Sequence, residues 1–503
     1  MTVEICGDTK ACGNRANAVR DQPYVSPIVD FLRTYIIYDL HRAVPASLQS
    51  IRPGFTTGVS NTDLMEFPGP GPLNAALHHA LLSLHQHPYP HVSNPPNCKK
   101  RGAVSLILRV RPDYLNWPGS PVLIPDRSIS VDQQLNLFFS QDWVQYGDPE
   151  VLFIKRASRV GDRWTGHVAL PGGMKDPDDR DDQAAAIREA EEEIGLDLVA
   201  KECIYVSNLP ERLVTASWGS VPLLILCPFI FLWTSNYTPP LKLQPTEVAS
   251  VHWVSLRALL SPSLRTVEYV NTSERYAKRG GFVARLTNRF MTGMMEFSAI
   301  KLVPTESLYC SLIPGFLPGD IHQKSLSLFQ RLKARCLSDQ ASSSDKSRPL
   351  LLWGLTLGIL ADFLEMLPPH NMVELWTYPT FTSLDLRLIV KMLTYGLRKR
   401  NILKVKAADF ANETSTEIQA AETPFTEIDS NHDLNRVEIS GMGVGRYYGP
   451  PSTDMDNSTR HAVGIMLTGY YDRLWLSVYV CLAWRVTLGA ITTLYAWRWL
   501  RRR

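Results

Sequence analysis

The chain has 503 residues, 45% of them apolar and 20% charged, and a net charge of +3. That length exceeds one domain of ordinary size, and the composition is that of a globular protein. So small a charge excludes the electrostatic footprint of a nucleic-acid binder, and no nucleic acid is expected as a partner. Eight cysteines without a CxxC pair point to reduced thiols in a reducing compartment, not to a disulfide frame or a zinc site.

Residues 1–99 read as an N-terminal extension, partly disordered. It opens without the apolar core of a secretory signal, and its segment Leu73 to Leu84 has helical spacing of apolar residues. His78, His79, His85 and His87 crowd this region, but no carboxylate or cysteine completes a ligand set, so they are expected on a polar helix face and loop. Ala103 to Val110, Val151 to Lys155, Cys203 to Ser207, Leu223 to Trp233 and Val248 to Val254 are expected strands. An irregular excursion fills 112–149. A helix over about 183–194 sits among these strands, and a helical turn at Leu256 to Leu260 closes the unit.

Residues 262–348 read as an insertion, of mixed polarity and Ser-rich at its end. Leu350 to Ala361 is a core helix, too short for the roughly twenty residues of a bilayer span. A helical extension at 368–406 and a polar, disordered linker at 407–472 follow. Within the segment 474–499, the stretch from Leu474 to Trp497 is apolar around a single charge, Arg485. Trp475, Trp497 and Trp499 stand near its edges, with Arg498 and Arg501 to Arg503 at its end. This is a candidate transmembrane helix, and the membrane is an expected partner. A central arginine costs about 2.5–3.5 kcal/mol on the insertion scale, which leaves open a helix lying on a membrane or on another protein.

The chemistry concentrates between Leu170 and Leu196, LPGGMKDPDDRDDQAAAIREAEEEIGL. On a helix, Glu189, Glu192 and Glu193 stand at i, i+3 and i+4, on one face. Three like charges so close repel one another unless a cation lies between them. Ile187, Ala190 and Ile194 form the buried stripe, and Gly195 ends the helix.

The run Arg188-Glu189-Ala190-x-Glu192-Glu193-x-Gly195-Leu196 resembles the second half of the Nudix box, G-x5-E-x7-R-E-U-x-E-E-x-G-U. In the first half Arg180 stands at the nominal place of the glutamate, and the spacing from Gly173 to Arg188 is one residue longer. The resemblance implies a Nudix-type α/β/α sandwich with a mixed sheet, here spanning 100–367 with the 262–348 segment inside it. It implies hydrolysis of a diphosphate linked to another moiety by attack of water, with Mg2+ or Mn2+ as cofactor. Carried over residue by residue, Glu192 and Glu193 are the main metal ligands. Glu189 is a further ligand or the base that orients water, and Arg188 steadies the helix by an ion pair. A Gly172 or Gly173 carbonyl completes the metal shell. Glu247, before a strand, is an extra ligand or base, or a plain surface glutamate.

The form GGxxDPxDxDD before AxxRE, and FIKRASRVGDRWTGHVALPGGMKD ahead of it, resemble the coenzyme A diphosphatase branch of the family. Two arginines of that branch's signature are Ala157 and Asp162 here. Arg156, Arg159 and Arg163 stand one to three residues away and offer charge for the substrate's phosphates. Trp353-Gly354-Leu355-Thr356 resembles the start of the branch's last helix. The expected substrate is coenzyme A or a related nucleoside diphosphate derivative. Dinucleotides, nucleotide sugars and a catalytically inactive membrane adaptor of the same fold stay open as alternatives. The basic tail resembles the tail anchors of peroxisomes and the mitochondrial outer membrane.

Overall fold

A computed structural model describes residues 70–95, 98–118, 122–158, 165–216, 221–270, 293–312, 349–372, 374–418, 446–447, 466–467 and 469–502. The first 69 residues, most of the expected linker, and Arg159 and Arg163 lie outside them.

The centre is a mixed sheet in the order β11-β8-β2-β1-β7-β6. β1 (Arg101–Arg111) lies in its middle, antiparallel to β2 (Asp148–Arg156) and parallel to β7 (Val221–Trp233). β6 (Arg212–Ala216) pairs with β7, and β8 (Val248–Ser255) continues the sheet from β2 to β11 (Pro304–Tyr309). Two short strands, β3 (Val168–Ala169) and β4 (Gly172–Met174), add to β2 and β1, and β5 (Cys203–Asn208) adds to β7.

β1 is buried on both faces, as a central strand is, and its side chains alternate between two cores. Ala103 and Ile107 face one helix, α3 (Asp182–Ile194), together with Ala185, Ala186, Ala190 and Ile194. Leu106, Leu108 and Val110 face the other layer, with α1 (Pro70–Gln86) and α2 (Val131–Phe139). α1 buries Leu73, Leu77, Leu81 and Leu84 at i, i+4, i+8 and i+11, which gives roughly 8 kcal/mol of apolar burial as an upper figure. Buried Asn74 then donates to the Val144 and Gly147 carbonyls, at 2.7 and 2.8 Å, pinning α1 to the turn before β2. The helix expected inside the N-terminal extension is thus a wall of the central core.

The excursion at 112–149 contains α2, capped by Ser130, whose side chain accepts from Gln133 N. A short helix, α4 (Leu256–Leu260), follows β8. The segment expected as an insertion supplies strands: β9 (Arg265–Val270) and β10 (Met295–Lys301) pair in a second sheet, and β11 joins the first. β12 (Leu351–Trp353) and β13 (Thr380–Phe381) complete the second sheet on β10. The single helix expected over Leu350 to Ala361 is therefore a strand followed by α5 (Gly354–Glu365), which begins where Gly354 takes a positive φ of 65°. The helical extension continues past 406, as α6 (Leu384–Ile418).

α7 (Tyr470–Arg502) is, among the described residues, the one helix long and apolar enough to cross a membrane by length and composition. Its first part is packed: Tyr470, Tyr471, Leu474, Ser477 and Cys481 are buried, with α6 beside it. The span expected from 474 to 499 therefore begins inside a protein contact.

Candidate active site

α3 is specified locally. Asp181 caps it, its side chain accepting from Ala184 N at 2.7 Å, and Gly195 closes it in the left-handed region at φ 68°. Three alanines toward the sheet let the helix approach closely, and Ser105 Oγ donates to the Ala186 carbonyl at 3.0 Å. The buried stripe is Ala185, Ala186, Ala190 and Ile194; Ile187, expected in it, packs at its margin.

The same face carries Glu193, 1% exposed. Its Oε2 accepts the Gly172 backbone N–H at 2.9 Å. β4 places that amide by pairing with β1, Gly172 opposite Val104 and Gly173 opposite Ala103. The two glycines are needed for different reasons, Gly172 by the backbone and Gly173 by the carboxylate beside it. A Cβ on Gly172, which has φ +148°, would lie 2.2 Å from the Ala103 carbonyl oxygen. A Cβ on Gly173 would lie 2.4 Å from the Glu189 carboxylate.

The third carboxylate comes from the loop before β8. Lys242 N donates to the Ile194 carbonyl and Gln244 N to that of Glu193, each at 2.9 Å. Those bonds satisfy carbonyls at the end of α3 that have no intrahelical partner, and they strap the loop to the helix. Glu247 is then fixed on both sides, its N–H donating to Gln244 O at 3.0 Å and its carbonyl accepting from Ala157 N at 2.7 Å. One oxygen each of Glu189, Glu193 and Glu247 lies within 4.8 Å of the others.

Glu192 is not in this group. Its side chain is 60% exposed and pairs with Arg188 at 3.0 Å. Arg188 is the organiser of the rim: it also reaches Glu189 Oε1 at 3.1 Å, the Met174 carbonyl at 3.1 Å, and Asp179 through two nitrogens at 3.0 and 2.9 Å. The bonds to Arg188 hold the Asp179 carboxyl below the usual range. Asp179 is thus tied to the helix through Arg188, a role the sequence pattern did not single out. Arg180 points outward, 87% exposed and paired with Asp181.

Burial pushes the Glu193 carboxyl up to about 8; the Gly172 N–H opposes this, and the Glu189 and Glu247 charges add to it. Glu189 is raised as well, by burial first, against the pull of Arg188. Arg156 is close enough for its charge to favour ionised Glu193. Three carboxylates in a half-buried site, one of them short of the solvation its charge needs, are the donor set of a hard divalent cation.

A second group of ligand-type residues, His91, Asp182 and Glu211, is of another kind. Arg101 already sits in it, bonded to Asp182 at 2.7 Å and to Glu211 at 2.6 Å, with further bonds to the Val92 carbonyl and Asn94. That guanidinium is its cation. Of the histidines in and after α1, His78 stacks on Phe139 at 4.7 Å and His85 Nδ1 lies 2.9 Å from the Val206 carbonyl, both packing roles.

Residues 143–272 match the sequence model of the NUDIX domain. A mouse (Mus musculus) protein named mitochondrial coenzyme A diphosphatase NUDT8 is 46% identical over 181 residues, which cover 34% of this chain and 74% of that protein. An uncharacterized protein of Schizosaccharomyces pombe is 33% identical over 256 residues, 50% of this chain and 67% of that one. The solved Nudix hydrolase RenU of M. smegmatis aligns at 19% identity and a TM-score of 0.19, covering 31% of this chain and 70% of its own; so low a score adds nothing to the sequence matches. With the box on a capped helix, the Gly-Gly turn beneath it and relatives matched over most of their length, the chain belongs to the Nudix hydrolase family.

Proposed function

We propose that the chain hydrolyses the diphosphate of coenzyme A or a related nucleoside diphosphate derivative, with Mg2+ or Mn2+ held by Glu189, Glu193 and Glu247. The observation that carries this reading is the convergence of those three carboxylates beside the Gly172–Gly173 turn. When bound, the cation supplies positive charge that neutralises the diphosphate oxygens and favours deprotonation of water.

The chain's own residues do the rest. Glu193 is oriented by the Gly172 amide and stays fixed. Glu189 is less buried than Glu193 and held by Arg188, which supports reading it, beside its share in the cation, as the group that orients the attacking water or takes its proton. Glu192 keeps Arg188 in position from the rim, and joins the ligand set only by leaving that pair. Arg156 brings positive charge to the same place and suits the substrate's phosphates. The choice of coenzyme A is supported by the name of the mouse relative.

The test is a product assay by mass spectrometry with Mg2+ and with Mn2+, on coenzyme A, its thioesters, dinucleotides and nucleotide sugars. Release of 3′,5′-ADP with phosphopantetheine is expected; another cleaved substrate would move the specificity within the family. Binding without any metal-dependent turnover would favour the adaptor reading. We also read α7 as an anchor in a mitochondrial membrane, supported by its length and apolar surface and by the mitochondrial name of that relative. Fractionation against mitochondrial and peroxisomal markers checks the location.

A further inference from the structure

α6 and α7 run antiparallel. Asn401 Nδ2 donates to the Met466 carbonyl at 3.1 Å just ahead of α7, and at the other end of the contact Arg485 meets Asp385. The Arg485 guanidinium donates to both Asp385 oxygens and to Ser383 Oγ, each at 2.6 Å. From Val486 to Arg502 every residue of α7 is exposed, and the apolar ones, among them Leu488, Ile491, Leu494, Ala496, Trp497 and Leu500, point all round the helix. A helix apolar on every side is matched by lipid, not by a groove on one partner.

The free stretch is nevertheless too short. Val486 to Leu500 covers about 22 Å at 1.5 Å per residue, against about 30 Å of hydrocarbon. The missing length must come from the docked side, and twenty residues ending at Leu500 begin at Cys481. Arg485 then lies about 6 Å inside the near boundary, with its charge already matched by Asp385. The neighbouring surface agrees: Leu384, beside Asp385, is 82% exposed and Leu388 is exposed one turn on, while Tyr479 and Trp484 are exposed on α7. At the far end Trp497 and Trp499 stand in the last turn of the span, Arg498 can extend its charge from there to the boundary, and Arg501 and Arg502 lie beyond it, suited to the headgroup layer.

We propose that α7 crosses a lipid bilayer from about Cys481 to Leu500. Asp385 enters the near leaflet as the counter-ion of Arg485, and the first turn of α6 is a membrane-contact surface that holds the catalytic domain flush to the bilayer. This rests on the reading of α7 as an anchor. Asp385 is a positioning residue for the span, not for the reaction.

The test is carbonate extraction of membranes from cells making the full chain, its Asp385→Ala, Arg485→Leu and double variants, and a chain cut after Arg485. Wild type resists extraction and the cut chain does not. Asp385→Ala, with an unpaired arginine in the leaflet, loses at least fivefold of the resistant fraction, and the double variant regains it. Asp385→Ala resisting like wild type would overturn the proposal, as would a double variant that stays extractable. A wild-type chain as extractable as the cut one would overturn the anchor reading itself. Should Asp385→Ala misfold, Leu384→Cys carrying an environment-sensitive dye decides: a blue shift on vesicles of phosphatidylcholine and phosphatidylserine supports the contact, and an unchanged spectrum refutes it.

Discussion

Gly173 lies directly against the carboxylate of Glu189, so that a single added methyl would sit 2.4 Å from it. The clash is with the far end of a flexible side chain, so the fold survives it and the carboxylate does not stay in place. Gly173→Ala should keep its melting temperature within a few degrees and lose about 100-fold in kcat, roughly 2.7 kcal/mol of transition-state stabilisation. The adjacent change differs in kind. In Gly172→Ala the methyl meets the backbone of Ala103 and Val104 at a positive φ, and the variant should fail to accumulate as folded protein. Melting curves and steady-state rates on the two variants check the contrast.

Glu193 is buried against two other carboxylates. Replacing it by the isosteric amide removes the repulsion and keeps an acceptor for the Gly172 N–H. Glu193→Gln should therefore abolish measurable turnover and raise the melting temperature of the metal-free protein, a gain of about 1 kcal/mol. Glu192→Gln, altered at the exposed rim, should cut turnover by orders of magnitude if that side chain swings in to the cation, with no gain in stability. A Glu192→Gln enzyme of near-normal rate would confine the ligand set to the other three.

Arg188 makes a forked contact with Asp179 while also touching Glu189, Glu192 and a backbone carbonyl. A lysine keeps the charge but cannot reproduce the fork. Arg188→Lys should lose about tenfold in kcat/KM and expose the aspartate loop around 174–181 to limited proteolysis. Unchanged cleavage of that loop would show that Asp179 does not depend on Arg188.

His252 is fully buried between Ser250 Oγ and Ser307 Oγ, both at 2.8 Å. Burial, and then the charge of Lys155, lowers its pKa from 6.5 to about 4. The unfolded chain therefore takes up this proton at a higher pH than the folded one. The contribution to stability is present above about 6.5 and is lost as pH falls toward about 4, on the order of 3 kcal/mol in all. Between pH 7.5 and pH 5 the melting temperature of wild type should drop further than that of His252→Gln; equal drops would exclude the assignment.

The helix of the site was legible because everything that makes it lies within one stretch: the Asp181 cap, the alanines, the three glutamates and Gly195. Glu247 was legible only as a choice between ligand, base and plain surface residue, since a glutamate before a strand looks the same whether or not its loop is strapped to the end of another element. Only the backbone bonds of Lys242 and Gln244 to α3 reveal it. The outward position of Glu192 was hidden for a related reason. Helical spacing gives a shared face but not a rotamer, and Arg188 draws it outward. The second sheet escaped notice because its strands are short and dispersed, joined by pairings from Arg265 to Phe381. α2 did announce itself, through Ser130 three residues before Gln133 and an apolar run after it, a capping signal passed over.

The segment that matches the family runs from 143 to 272, yet the strand between β2 and β7 is β1, at 101 to 111. A chain shortened to the recognisable part is thus not a minimal enzyme. It is a sheet split down its middle, with the inner edges of β2 and β7 left bare and apolar on both faces. Such edges are templates for pairing with other chains. A transcript spliced to begin near residue 143 would encode an aggregate that still carries every box residue, and sequence inspection alone would score it as active.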